Sequence, residues 1–158
     1  MDAVLDKSGR LNSNVQIGKF TVLIASVGTF NDGVDVPSGA NVGPVVGVAQ
    51  ESRLPNGYND YSSGQYQIVS GTAWPANAIP NSVTGKAIGY RMMGITKVVA
   101  ASAISVGDRV NIADSQGRVK TIAEAGGTLV HEVGWALDAA GQANDVIRIV
   151  MGIIDRKT

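Results

Sequence analysis

The sequence predicts an all-β protein, a compact β-sandwich or barrel-like domain with little helix, and three observations lead to this fold class. Glycine is nearly twice as frequent as in an average protein, with 20 glycines in 158 residues against about 7%. The longest stretch without Gly or Pro is the twelve residues 95–106. Both residues disfavour helix interiors, so long helices are nearly excluded. Several short segments also alternate apolar and polar residues, as strands do.

The clearest strand pair lies in the second half of the chain. Over residues 109–113, Val110 and Ile112 alternate with more polar residues, which predicts a strand with one apolar face. Residues 114–117 begin with Asp and end with Gly, the pattern of a type I turn. A second strand over residues 118–122 completes the predicted hairpin.

In chain order, residues 1–19 are polar and are predicted to form an extended N-terminal arm, while residues 20–158 form a single β-rich domain. The arm is either a frayed terminus or a segment that orders against a neighbouring molecule. Strands are predicted at residues 20–25 and at residues 45–49. Residues 53–64 are predicted to form a polar loop.

Three tyrosines, Tyr58, Tyr61 and Tyr66, lie in or beside that loop. Tyrosine is enriched at protein interfaces, so the loop is either an interaction surface or a solvated loop with one or two rings folded onto the core. Residues 71–85 are predicted to be extended or looped because of their prolines. Within them, Trp74 fits a local packing anchor better than a ligand platform.

Further strand regions are predicted at residues 86–99, 129–137 and 146–154. In the last of these, both faces are largely apolar. One face carries Ile147, Ile149 and Met151, and the other carries Val146, Arg148 and Val150. This pattern indicates a strand that is buried on both sides or that has one face at a subunit contact.

Charge restricts the possible partners. Thirteen basic and thirteen acidic residues give a formal net charge of zero, and no basic run occurs, so we expect binding neither to nucleic acid nor to a membrane. Charged residues make up 16% of the chain against about 25% in an average protein, which indicates that a partner covers part of the surface. The chain has no cysteine and no signal-peptide pattern, and we expect a soluble, non-secreted protein.

Enzyme signatures are mostly missing. His131 is the single histidine, so a multi-histidine metal site is impossible, and no Gly-x-Ser-x-Gly motif accompanies it. Residues 85–86, Gly-Lys, match the end of a phosphate-binding loop, but Ala87 stands where Ser or Thr would hold magnesium. Asp108 and Asp114 fit turns better than calcium binding. We therefore expect no enzymatic activity, no cofactor and no metal.

Four segments in the second half of the chain carry short motifs that follow one another in a fixed order. They lie at residues 94–99, 103–110, 134–140 and 146–150. The second has the form apolar-x-x-Gly-Asp-x-Val, the third has the form Gly-x-Ala-x-x-Ala, and the fourth is a closing strand. This order resembles the small capsid decoration (cement) proteins of tailed bacteriophages, and residues 43–49 are similar to the N-terminal strand of that family.

The resemblance covers roughly residues 85–152 and implies a β-rich domain that assembles as a homotrimer. It implies a virion protein, made in the host cytoplasm, that binds the major capsid protein at three-fold and quasi-three-fold positions on the outer surface of the expanded capsid. There it would stabilise the shell against internal DNA pressure, since multivalent attachment turns modest contacts into firm binding. The residues expected at capsid or subunit contacts are Val4, Leu5, Leu11, Val15, Tyr58, Tyr61 and Trp74.

Two other classes of protein remain open. One is another phage structural or receptor-binding module, such as a tail, head-fibre or adhesin part, in which Tyr58, Tyr61 and Trp74 contact a glycan or a protein. A glycan-array signal that is lost in Trp74→Ala would favour this class. The other is an enzyme, for example a hydrolase that uses His131, and an activity that is lost in His131→Ala would favour it.

Overall fold

The computed structural model describes residues 4–53, 61–62, 65–66, 70–71 and 84–157. These residues contain twelve strands and no helix, and the prediction of an all-β fold is confirmed. In this part of the chain no helix is long and apolar enough to cross a membrane. The strands form a closed five-stranded barrel, a five-stranded sheet and a two-stranded hairpin.

The N-terminal half forms the barrel. Its strands are β1 (Leu5–Leu11), β2 (Val22–Ala25), β3 (Gly33–Asp35), β4 (Val45–Ala49) and β7 (Ala87–Met93), and the small hairpin between β4 and β7 consists of β5 (Tyr61–Ser62) and β6 (Gln65–Tyr66). The barrel order is β1-β3-β2-β4-β7. β1 runs parallel to β3 and antiparallel to β7, and the second pairing closes the barrel. One buried cluster is made of barrel residues and of Ile17 next to them: Leu11, Ile17, Leu23, Val34, Ala49, Ile88 and Tyr90.

Part of the predicted N-terminal arm, residues 5–11, forms the barrel strand β1. β1 hydrogen-bonds to β7 along its length and to β3 at its C-terminal end. Gly9 and Leu11 are buried, whereas the first four residues of the strand are exposed. Because the segment has few apolar residues, its place in the barrel depends on these backbone pairings more than on an apolar face.

The C-terminal half forms the second sheet, which we call the C-terminal sheet. Its strands are β8 (Ile95–Val99), β9 (Arg109–Ile112), β10 (Val119–Thr121), β11 (Leu129–Ala136) and β12 (Val146–Lys157). They are antiparallel in the order β10-β9-β11-β12-β8. The predicted hairpin is β9 and β10. In its turn, the N–H of Gly117 donates to the Asp114 carbonyl at 3.1 Å, and Gly117 has a φ of 69°.

The inner face of the C-terminal sheet is buried together with side chains from the barrel strands. On β12, Ile147, Ile149 and Met151 face this core, as predicted from their alternation. The other sheet strands contribute Val98, Val110, Ile112, Val119, Val133 and Ala136, and the barrel contributes Val22, Val45 and Val48. The largest apolar cluster therefore joins the barrel and the sheet.

A β-bulge in β11 changes the direction of its side chains. The register shifts between Glu132 and Gly134, so that Glu132 pairs with Asn111 while Trp135 pairs with Arg109. The backbones approach closely here, because a Cβ at Gly134 would lie 2.1 Å from the Val150 carbonyl oxygen. As a result, Glu132 and Trp135 share the outer face of the sheet although they are three residues apart.

Candidate interaction surface

The outer face of the C-terminal sheet carries a cross-strand row of large side chains. The register pairs Arg109 with Trp135, Trp135 with Val150, and Val150 with Ile95. We call these four residues the outer row. Adjacent strands are about 4.8 Å apart, so the row spans roughly 14 Å across four strands. The outer face of a solvated antiparallel sheet is normally polar, whereas most of this row is apolar.

The outer row remains accessible in the isolated chain. Ile95 is 37% exposed, and Trp135 and Val150 are half-buried. Ile154, which pairs with Glu132 and therefore lies on the same face, is 45% exposed. The apolar surface of the row thus continues along β12.

A buried carboxylate lies beside the outer row. Glu132 is completely buried, and its Oε2 accepts a hydrogen bond from Nε of Arg156 at 2.9 Å. The Nε of Arg109 lies 3.7 Å from Oε1 of Glu132, and Oε1 accepts no hydrogen bond from the described residues. The side chains of Arg109 and Arg156 are 42% and 33% exposed. One buried carboxylate therefore holds two partly exposed cations and leaves an excess positive charge.

The ring of Trp135 is fixed from two sides. The guanidinium carbon of Arg109 lies 5.5 Å from the ring centroid, within the range of a cation–π contact. The ring also lies over Gly152, because a Cβ there would be 2.9 Å from Cζ3 of Trp135. Tryptophan and arginine are the residue types that dominate binding energy at protein interfaces. This geometry therefore suits protein binding.

The outer row ends at a basic pocket of about 320 Å³ beside β8, whose lining includes Arg91, Ile95, Lys97 and Arg148. The two arginines are neutralised, since Arg91 pairs with Asp6 at 2.9 Å and Arg148 pairs with Asp138 at 2.7 Å. Hydrogen bonds from Arg148 lower the pKa of Asp138 to about 2. Lys97 forms no ion pair with a described residue, and its Nζ lies 5.8 Å from the centroid of the Phe20 ring.

A second pocket, of about 420 Å³, lies beside the barrel and is lined by Asp35, by several serines and by Gly71. Burial raises the pKa of Asp35, and a hydrogen bond from the Ser13 hydroxyl opposes this shift. No group of three or more potential metal ligands occurs among residues 4–53, 61–62, 65–66, 70–71 and 84–157. We place the candidate site on the outer row, because partly exposed apolar side chains lie there beside a partly exposed arginine.

The predicted contact residues in the N-terminal segment differ in exposure. Val4 and Leu5 are 49% and 42% exposed, and Leu5 pairs with Met93, which is 53% exposed. Leu11 is completely buried in the barrel, and Val15 is half-buried against the same core. A contact role for Leu11 therefore conflicts with its burial, whereas Val4 and Leu5 remain available for contacts.

Of the predicted aromatic contacts, Tyr58 and Trp74 lie outside the described residues. Tyr61 begins β5, where its backbone pairs with Tyr66. The Nδ1 atom of His131, the residue considered for catalysis, lies 2.6 Å from a carboxylate oxygen of Asp155.

The sequence-based site prediction missed the outer row and Glu132. One signal pointed towards them, namely the two largely apolar faces of β12, which indicated either complete burial or a subunit contact. The side chains that complete the surface, Trp135 and Arg109, come from two other strands. Their position depends on the β11 bulge, which no local pattern reveals.

The structure is that of an all-β protein whose C-terminal sheet has a partly exposed apolar row on its outer face. No protein-family model matches the chain, and no curated protein sequence matches it. Among solved structures, the fold is similar to that of the head fiber gp8.5 N base in bacteriophage phi29, with a TM-score of 0.57 and 15% sequence identity. The match covers 99% of this chain and 100% of that chain. The likeness therefore shows a shared fold over both the barrel and the C-terminal sheet.

Proposed function

We propose that the protein is a structural component of a phage virion that attaches to the outer surface of the capsid. The observation that carries this proposal is the fold shared with a phage head fiber base over 99% of the chain. The sequence motifs over residues 85–152 support the same location, because they resemble capsid decoration proteins. These two lines of support use different information, since one depends on backbone geometry and the other on residue order.

In this proposal the partners are the major capsid protein and two further copies of the same chain. A homotrimer at three-fold and quasi-three-fold positions contacts several capsid subunits at once, so that modest contacts combine into firm attachment. The formal net charge of zero fits this location, because the protein is not drawn to the packaged DNA. By bridging capsid subunits, the trimer stabilises the expanded shell against internal pressure.

A second candidate function is the base of a head fibre, and the observation that favours it is the match to a head fiber base itself. In this case the chain anchors a projecting structure and leaves the strength of the shell unchanged. The two functions predict the same location but a different effect on the capsid.

The test is co-sedimentation of the purified protein with expanded and unexpanded shells of the capsid protein from the same genome. We expect binding to expanded shells alone, at saturation near one copy per capsid subunit, and a trimer by mass photometry. DNA-filled capsids with bound protein should also release their DNA at a higher temperature. Saturation at far fewer copies, with no change in release temperature, would favour the fibre base. No binding to either kind of shell would overturn the proposal.

A further inference from the structure

The outer face of the C-terminal sheet is positively charged in a chain whose net charge is zero. By register, this face presents five cationic side chains, which are Lys97, Arg109, Lys120, Arg148 and Arg156. Three carboxylates pair with them, those of Glu124, Glu132 and Asp138. Five positive and three negative charges leave an excess of two on this face, balanced elsewhere on the chain.

We propose that the outer row docks onto a protein surface that presents a carboxylate beside an apolar side chain, and that Glu132 is a positioning residue that holds Arg109 and Arg156 for that carboxylate. This inference rests on the proposed function, in which the docking partner is the capsid shell. It places the capsid contact on the C-terminal sheet and requires a carboxylate and an apolar side chain on the capsid surface.

The two guanidinium groups are available for such a carboxylate. Arg156 uses only Nε for its hydrogen bond to Glu132, and Arg109 lies too far from Glu132 for a hydrogen bond. The terminal nitrogens of neither side chain donate to a described residue. A carboxylate can therefore accept two parallel hydrogen bonds from either group. Trp135, held beside Arg109, supplies apolar area next to the charge without a further ordering cost.

Charge complementarity favours this partner over a two-fold contact between copies of the chain. Such a contact would bring two positively charged surfaces together, which is unfavourable. A contact within a trimer pairs two different faces, and the variants below separate that contact from shell docking. An acidic patch with an exposed apolar side chain satisfies both parts of the surface, the excess charge and the apolar residues Trp135, Val150 and Ile95.

The experiment measures binding of the full chain to immobilised expanded shells, with association and dissociation rates. We expect Arg109→Glu to weaken binding about 100-fold, because the new carboxylate would face the carboxylate of the partner surface. Trp135→Ala should weaken it about 30-fold or more, as an interface anchor does. The control is Arg10→Ala, which removes an arginine on the barrel. Like Arg109, Arg10 lies beside a carboxylate and over an aromatic ring, in this case those of Asp32 and Phe30. This control should bind like the natural chain.

Glu132→Gln tests the positioning role. The substitution removes one negative charge, so the net charge of the face rises by one. A purely electrostatic surface would then bind an acidic partner more tightly. If Glu132 positions the two arginines, the dissociation rate should instead rise about tenfold while the association rate does not fall. A variant that was only less stable would lower the amount of binding protein and leave the dissociation rate unchanged. That result would overturn the positioning role.

Failure of this inference can be separated from failure of the proposed function. If the natural chain binds shells and Arg109→Glu binds equally well, the docking surface lies elsewhere and the inference is wrong, while the proposed function stands. If Arg109→Glu or Trp135→Ala breaks up the trimer without affecting shell binding of the remaining protein, a second copy covers the outer row and the inference is again wrong. Because Arg109 is 42% exposed, its substitution tests docking even if Trp135→Ala does not fold.

Discussion

The two faces of the C-terminal sheet are made from the same five strands, but the inner face packs against the barrel while the outer face is partly exposed. On the inner face, Ile149 and Val110 are completely buried next to the barrel. On the outer face, Val150 and Trp135 are half-buried, although they are also apolar and lie on the same strands as core residues. The inner face accounts for folding. The apolar residues of the outer face stay partly exposed in the isolated chain, and in our proposal a partner covers them.

The largest expected effect separates the two faces by stability. Ile149→Ala should lower the free energy of unfolding by about 3–4 kcal/mol, because it leaves a cavity in the core. Val150→Ala, one residue away on the outer face, should cost about 1 kcal/mol or less, since its side chain is only half-buried. Urea denaturation of both variants gives the comparison. Equal costs would mean that the outer face is as important for folding as the inner one.

The second prediction concerns the buried carboxylate on the outer face. Arg156→Met should cost about 3 kcal/mol, because Glu132 loses its 2.9 Å hydrogen bond and remains buried with incomplete compensation. Arg109→Met should cost about 1 kcal/mol or less, because that side chain is 42% exposed and lies 3.7 Å away. Thermal unfolding of the two variants is the measurement. The reverse order would show that Arg109 is the main partner of Glu132.

The third prediction perturbs the outer face while leaving the inner face intact. Gly152→Ala places a Cβ against the ring of Trp135 and should displace that ring, at a cost of about 1 kcal/mol or less. In a Trp74→Phe background Trp135 is the single indole, so its fluorescence emission should shift. Gly39→Ala is the control, because a Cβ there meets no atom within 4 Å. Unchanged emission in Gly152→Ala would mean that the ring does not rest on this glycine.

The smallest expected effect is a pH dependence at the margin of the outer face. The pKa of Asp138 is lowered to about 2 by hydrogen bonds from Arg148, against 3.8 in an unperturbed carboxyl. The folded chain therefore binds fewer protons than the unfolded chain between these values. The stabilisation is complete above about pH 4 and is lost as the pH falls through 2. Asp138→Asn should flatten the decline of stability between pH 4 and 2, measured by urea denaturation. An unchanged slope would contradict this pairing.

Local patterns predicted the parts of the fold in which neighbours in sequence decide the structure. The hairpin of β9 and β10 follows from alternation and an Asp-to-Gly turn, and the two faces of β12 follow from alternation alone. β1 could not be predicted, because its place in the barrel depends on hydrogen bonds to β7, about 80 residues further along the chain. Deleting residues 1–19 would therefore remove a barrel strand, and would not be a clean test of an arm.

The outer row was beyond local reasoning for a related reason. Each of its members lies on a different strand, and only the register brings them into one line. Glu132 and Trp135 share a face because of the bulge at Gly134, which reverses the simple two-residue alternation. A sequence pattern shows which residues are apolar, but the neighbours across a sheet depend on pairings between distant segments.

Closure of the barrel by β1 and β7 also restricts the order in which the chain can fold during synthesis. Leu5 leaves the ribosome first, but its partner Met93 is added 88 positions later. At about 5–20 residues per second, β1 waits roughly 4–18 s for that neighbour. All strands of the C-terminal sheet follow residue 94, so every barrel strand is synthesised before them. A chain that folds during synthesis can therefore close the barrel first, whereas the outer row cannot be complete until β12 has been made and pairs with β11.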